Sequence, residues 1–149
     1  MAATTYGADA ALRTLQDRSD ITDTLYRYAS TIDRFDHAGL RGLLADDVWA
    51  RYGNADPLSG GDALASWIAE WNATVVWQHH LLSVYHVDVD GDRAAALVYH
   101  TSHQVFEEDP ETARLIVGRC HCELRRERAE DKTDPTGCLA LIGGRGPQG

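Results

Sequence analysis

The sequence holds 149 residues with seven histidines and six tyrosines, and two of its ionisable positions are hard to explain as ordinary surface. Asp33 sits in the string Thr31-Ile32-Asp33-Arg34-Phe35-Asp36, just past the last apolar position of what reads as a long helix. A carboxylate there faces the negative end of the helix dipole, which disfavours it. His79 and His80 are adjacent within a run rich in Val, Trp, Tyr and Leu. On a strand such neighbours point to opposite faces, so only one of them meets the helices. A histidine, with a reference pKa near 6.5, is the natural general base at neutral pH. A carboxylate beside it fixes the tautomer and stabilises the imidazolium formed as a proton arrives. Asp33 and whichever of His79 and His80 faces the helices therefore form the leading candidate pair for proton abstraction. The plainer readings stand beside it: a solvated carboxylate at a helix end, and a half-buried hydrogen-bonded histidine.

Other groups can join them. On the following strand His103 shares a face with Leu97, Tyr99 and Thr101, while His100 shares the other with Val98, so one histidine from each strand can enter a common pocket. Two histidines with Asp33 would make a two-His-one-carboxylate set. A metal site normally has three or four ligands, so no metal is expected. Cys120 and Cys122 lie on one strand face without a second ligand pair, which reads as core packing. Tyr28 can flank the same cavity and Tyr52 ends the short strand after the second helix, and both also read as ordinary amphipathic tyrosines at the edge of the core. Trp49, Trp67, Trp71 and Tyr99 are the candidates for holding substrate, and Trp77 is grouped with the core or cavity wall.

The elements that must position these groups follow from hydrophobic period. Between Asp9 and Phe35, apolar residues recur at Leu12, Leu15, Ile21, Leu25, Tyr28 and Ile32, as on one face of a long helix. Asp36 can cap a short second helix with Leu40, Leu43 and Leu44 turned inward. Asp47 to Gly53 reads as a short strand, followed by a Pro- and Gly-containing loop. Leu64, Trp67, Ile68 and Trp71 mark a third helix. The period then changes to that of strands: Val75 to Val89, an Asp90-Gly91 turn, Arg93 to Phe106, an acidic loop over 107–112, and Arg114 to Arg126. A charged stretch precedes a last candidate strand, Cys138 to Ile142. The outer positions His79, Leu81, Tyr85 and Val87 are too apolar to leave wet, which predicts a homodimer through that sheet face.

Composition limits the partners. A formal charge of −9 argues against nucleic acid and against an anionic membrane surface. A neutral, mostly apolar small molecule is the expected ligand. Hydrophobic residues at 44% with four tryptophans support a packed core in a single domain over 1–149. The N-terminus lacks the flank and apolar core of a signal peptide, and no apolar run approaches the roughly 20 residues of a membrane span. With three cysteines, an odd count, free thiols and a cytoplasmic location are expected.

The stretch from Leu15 to Leu124 resembles the SnoaL-like branch of the nuclear transport factor 2-like superfamily. The marks are ITDTLYRYASTIDRFD, LRGLLADDVWARYG and the hairpin HHLLSVYHVDVDGDRAAALVYHTSHQV. Within that branch it is similar to scytalone dehydratases, hexachlorocyclohexane dehydrochlorinases and bile-acid 7α-dehydratases. The resemblance implies an α+β cone, with a long N-terminal helix and two shorter helices packed on a highly curved, mostly antiparallel sheet. It also implies cofactor-free loss of water or another β-leaving group, with isomerisation or cyclisation by the same proton transfers close behind. Asp33 and His80 match the family's Asp–His pair, Tyr28 matches the tyrosine just upstream of the Asp in bile-acid 7α-dehydratases, and Tyr52 matches one of two tyrosines that polarise the substrate in scytalone dehydratases. Both would donate hydrogen bonds to a substrate oxygen as negative charge develops. His103 falls where these lyases place a further polar residue. The same fold also serves as a non-catalytic binding or assembly module. The segment 127–149 departs from the pattern: it carries a Gly-rich tail in place of a closing strand with tryptophan, so that strand is expected to be short or displaced.

Overall fold

The computed structural model describes residues 2–127 and 138–145. Three helices, α1 (Ala2–Asp33), α2 (His37–Gly42) and α3 (Gly61–Asn72), pack on one face of a six-stranded sheet. The strands are β1 (Leu44–Arg51), β2 (Leu58–Ser59), β3 (Val75–Asp90), β4 (Arg93–Phe106), β5 (Asp109–Glu127) and β6 (Cys138–Arg145). Their spatial order is β2-β1-β6-β5-β4-β3, and only the β1–β6 pair is parallel. This is the expected α+β cone of helices on a mostly antiparallel sheet.

The core forms where the apolar stripe of α1 meets the sheet. Ile21, Leu25, Ala29 and Ile32 are buried at helical spacing, against Leu40, Leu64, Ile68, Val98 and Leu124. Leu12 and Leu15 were expected on that stripe but stand about two-thirds exposed, so the burying face begins only at Ile21. Arg126 on β5 reaches Asp17 at 2.7 Å and ties the middle of α1 to the sheet.

The C-terminus of α1 is shaped by its last hydrogen bonds. Asp36 N donates to Thr31 O at 2.9 Å and Phe35 N to Ile32 O at 3.0 Å, the paired pattern that closes a helix with one left-handed residue. Phe35 supplies that residue, at φ 57°. Asp36 then caps α2 as expected, accepting from Gly39 N at 2.9 Å.

Several boundaries differ from expectation. Residues 109–112, read as loop, already belong to β5, because the turn is confined to Glu107 and Glu108. Leu44 belongs to β1 rather than to α2, and the two-residue β2 falls within the presumed loop. β6 exists and inserts between β5 and β1; the rest of the atypical segment, 128–137 and 146–149, lies outside the described residues.

One irregularity governs which side chains face inward. The β3–β4 register shifts between Val84 and His86. An extra residue at such a bulge reverses the inward parity along the strand. Hence Val87, expected on the outer face, is buried at 7% exposure, while His86 is exposed.

Candidate active site

Asp33 and His80 meet. Asp33 is the last residue of α1, and the helix end sets its carboxylate against β3. His80 Nδ1 lies 2.6 Å from Asp33 Oδ1, and the His80 backbone N–H donates to Oδ2 at 3.0 Å. Both carboxylate oxygens are thus engaged by one residue, and both side chains are largely buried. A carboxylate can only accept, so the shared proton sits on Nδ1 and the lone pair is left on Nε2. His80 lines a cavity of about 450 Å³ between α1, α3 and the sheet.

One wall of that cavity is aromatic. Tyr52 stacks on Trp67 with ring centroids 4.9 Å apart, and Trp67 on Trp71 at 6.3 Å. Tyr28 and Tyr52 join through their hydroxyls at 2.5 Å. Burial pushes Tyr28 well above its usual range and Tyr52 up to about 12, so both remain phenols. Because one hydroxyl donates to the other, the pair keeps one O–H to offer elsewhere. Cys120 and Cys122 also line the cavity; burial pushes their thiols up to about 11 and about 12, so they behave as apolar packing.

The sheet wall is different. His80, Leu82, His100, Ser102 and Gln104 face the cavity from β3 and β4. His100 stacks on His80 with centroids 5.2 Å apart. Burial first, and then the adjacent His80, push His100 down to about 4, while Asp33 acts in the opposite direction. Four polar atoms of this lining are buried without a partner among the described residues: Asn72 Nδ2, His100 Nδ1, Ser102 Oγ and Gln104 Oε1. Leaving such groups unpaired costs about 1–3 kcal/mol each, so this wall favours a bound molecule that can bond to them.

Of the residues singled out in the sequence, Tyr28, Tyr52, Trp67, Trp71 and His80 line this cavity, with Asp33 bonded behind His80. Three do not. His103 stands on the outer sheet face, where its ring lies parallel to that of His79 at 5.1 Å. Tyr99 is on the same outer face, 4.5 Å from Tyr85. Trp49 borders a separate small cavity of about 80 Å³ on the far side of the two tyrosines. Trp77 is also outward, about half exposed. The bulge explains the histidines. Counted back from the Asp90–Arg93 pair without irregularity, His80 would stand opposite His103 and share its face. The shift at Val84 pairs His80 with Ser102 and His79 with His103 instead. The inward histidine of β4 is therefore His100. The sequence offered no signal to choose it, since both strand faces are apolar. Asn72, Ser102 and Gln104 were missed because isolated amides and hydroxyls carry no motif. Among the described residues, no three of His, Cys, Asp and Glu gather as metal ligands would, and no helix is long and apolar enough to cross a membrane.

A sequence model of the SnoaL-like domain matches residues 13–132. No curated protein is similar enough in sequence to be matched. Solved structures share the fold at low identity. A candidate scytalone dehydratase from Novosphingobium aromaticivorans superposes with a TM-score of 0.76 at 13% identity, over 89% of this chain and 83% of that one. A candidate dehydratase of the nuclear transport factor 2-like family from Streptomyces avermitilis gives 0.72 at 19%, over 89% and 96%. A type 2 hexachlorocyclohexane dehydrochlorinase gives 0.73 at 16%, over 91% and 86%.

Proposed function

The chain belongs to the SnoaL-like domain family, and within it we propose a cofactor-independent lyase that removes a proton and a β-leaving group, water foremost, from a mostly apolar small molecule. The observation that carries this reading is the Asp33–His80 pair, fixed at the wall of a cavity otherwise lined by aromatic and aliphatic groups. A module that only binds would not need a carboxylate and an imidazole locked together there. The structural likeness to proteins named as dehydratases and a dehydrochlorinase supports the same class of chemistry.

In the proposed reaction, His80 Nε2 takes a proton from the carbon beside a substrate carbonyl. The C–H electron pair forms the new double bond, and the β-carbon–oxygen bond breaks. The imidazolium returns the proton to the departing oxygen, which leaves as water, so atoms and charge balance. Asp33 stabilises the imidazolium while it exists. The free O–H of the Tyr28–Tyr52 pair is available to the carbonyl oxygen as charge builds on it. His100 takes the place first given to His103. Being neutral near pH 7, it adds no positive charge against the imidazolium and can hold the leaving oxygen by a hydrogen bond. Isomerisation or cyclisation would use the same first step.

The test uses neutral cyclic β-hydroxy ketones and follows the conjugated enone by ultraviolet absorbance. Asp33→Asn and His80→Ala are each expected to lower turnover by at least about 10²-fold while the fold is retained. The double variant should fall little further, because the residues act as a unit. A His80→Ala protein with near-normal turnover would overturn the mechanism. Tight binding of the same compounds without turnover would favour the binding-module reading. Activity is expected to survive exhaustive chelation, and loss that zinc or iron restores would contradict the cofactor-free assignment.

A further inference from the structure

Beside the dyad runs a row of amides, the outer two of which line the cavity, and one backbone group fixes their orientation. The carbonyl of Ile32 can only accept, and it receives Gln78 Nε2 at 2.8 Å. That fixes the Gln78 amide. Its Nε2 also donates to Asn72 Oδ1 at 3.1 Å, which turns Asn72 so that its own Nδ2 is left over. Its Oε1 accepts from Gln104 Nε2 at 3.2 Å, which leaves Gln104 Oε1 over. The chain of bonds thus ends in one spare donor and one spare acceptor, both tied to the same central amide. Ser102 Oγ, the next inward position to Gln104 on β4, is unpaired as well and can act in either sense.

Asn72, Gln78, Ser102 and Gln104 are all at most 5% exposed, and Asn72, Ser102 and Gln104 line the cavity. Nothing in the proposed elimination uses them. Buried polar groups left in this state discriminate strongly, because a ligand that fails to satisfy them leaves them unpaired in a dry site.

We infer that Asn72, Gln104 and Ser102 form a subsite for a neutral hydroxyl of the substrate, separate from the group that reacts at His80. A hydroxyl carries both an acceptor of the kind Asn72 Nδ2 lacks and a donor of the kind Gln104 Oε1 lacks. An ether oxygen satisfies the donor alone. A carboxylate would set negative charge against Gln104 Oε1 with no cation in the lining to offset it. The substrate class is therefore an apolar ring system with an uncharged hydroxyl distant from the reacting carbon. This rests on the proposed reading only in taking the cavity as the substrate site.

The test is calorimetric binding of 2-naphthol against 2-methoxynaphthalene, which differ in the donor, and needs no turnover. The unmodified protein is expected to prefer 2-naphthol by at least about tenfold. Gln104→Met keeps side-chain length without the acceptor and should reduce the preference to about twofold or less. Asp33→Asn should retain it. Comparing two ligands on one protein cancels any general loss of folded material. Failure of 2-naphthol to bind, no preference in the unmodified protein, or a preference that survives Gln104→Met would overturn the inference. A preference lost in Asp33→Asn but kept in Gln104→Met would show that the dyad reads the hydroxyl, sinking the subsite while leaving the elimination chemistry intact. Turnover lost from the dyad variants with the preference unchanged would support both.

Discussion

His100 illustrates how far single residues can be read before their neighbours are known. In the folded protein, burial and His80 hold it near pKa 4, whereas an unfolded histidine titrates near 6.5. Between those values the unfolded chain carries a proton that the folded chain refuses, so stability rises with pH across that window and is lost on acidification. The melting temperature is expected to fall from about pH 6.5 to about pH 4 more steeply than in a His100→Phe variant. Equal slopes would show that His100 does not carry the effect. Asp33 stood out in the sequence because its type conflicts with the helix dipole, and the His79-His80 pair because basic rings interrupt an apolar strand, while the choice of His80 came from the family resemblance. His100 and His103 were not separable in that way. Their faces depend on a one-residue shift at Val84, which leaves no mark in composition or period. The amide row was hidden more deeply, since it takes an element end, two strands and their register to bring Asn72, Gln78 and Gln104 together.

The elements themselves were easier, because burial imposes a period over many residues and single exceptions average out. β3 and β4 were placed to within a residue, and α3 followed from four apolar positions. The failures fall where the period gives no constraint. The first half of α1 keeps a leucine pattern although Leu12 and Leu15 are left exposed by the described residues, and β5 begins before its apolar alternation does. The Gly-rich tail looked unlike a closing strand, yet β6 needs small residues at a close approach. Gly143 is paired with Trp49 across the parallel β1–β6 ladder, and a Cβ on Gly143 would come within 2.4 Å of Trp49 Nε1. Gly143→Val is accordingly expected to destabilise the protein by about 1–3 kcal/mol in denaturant unfolding and to shift the tryptophan emission. Unchanged stability would mean that Trp49 moves aside freely. A displaced β6 would also disturb Tyr28 and Tyr52, which border the same small cavity as Trp49 and Gly143.

For the whole molecule, the distribution of charge matters more than its total. The chain carries −9, yet the outward positions on the three long strands hold no acidic residue across the middle of the sheet. On β3 they are Trp77, His79, Leu81, Ser83 and Tyr85, and on β4 Tyr99, Thr101, His103 and Val105. On β5 they are Ala113, Leu115, Val117 and Arg119. Leu81, Tyr85, Leu115 and Val117 are each more than half exposed. An acidic protein that keeps the middle of one face apolar and free of carboxylates presents a surface where a second copy can approach with little like-charge repulsion. The residues that failed to enter the cavity, His103, Tyr99 and Trp77, belong to this face, so their burial would come from association. We therefore expect a homodimer through the outer sheet. Sedimentation at micromolar concentration should give twice the chain mass, with little dependence on salt because apolar contact rather than ion pairing holds the copies together. Leu115→Asp places a carboxylate in the centre of the patch and should yield folded monomer with an unchanged far-ultraviolet spectrum. Monomer alone in the unmodified protein would contradict the dimer, and so would a Leu115→Asp variant that still sediments as one.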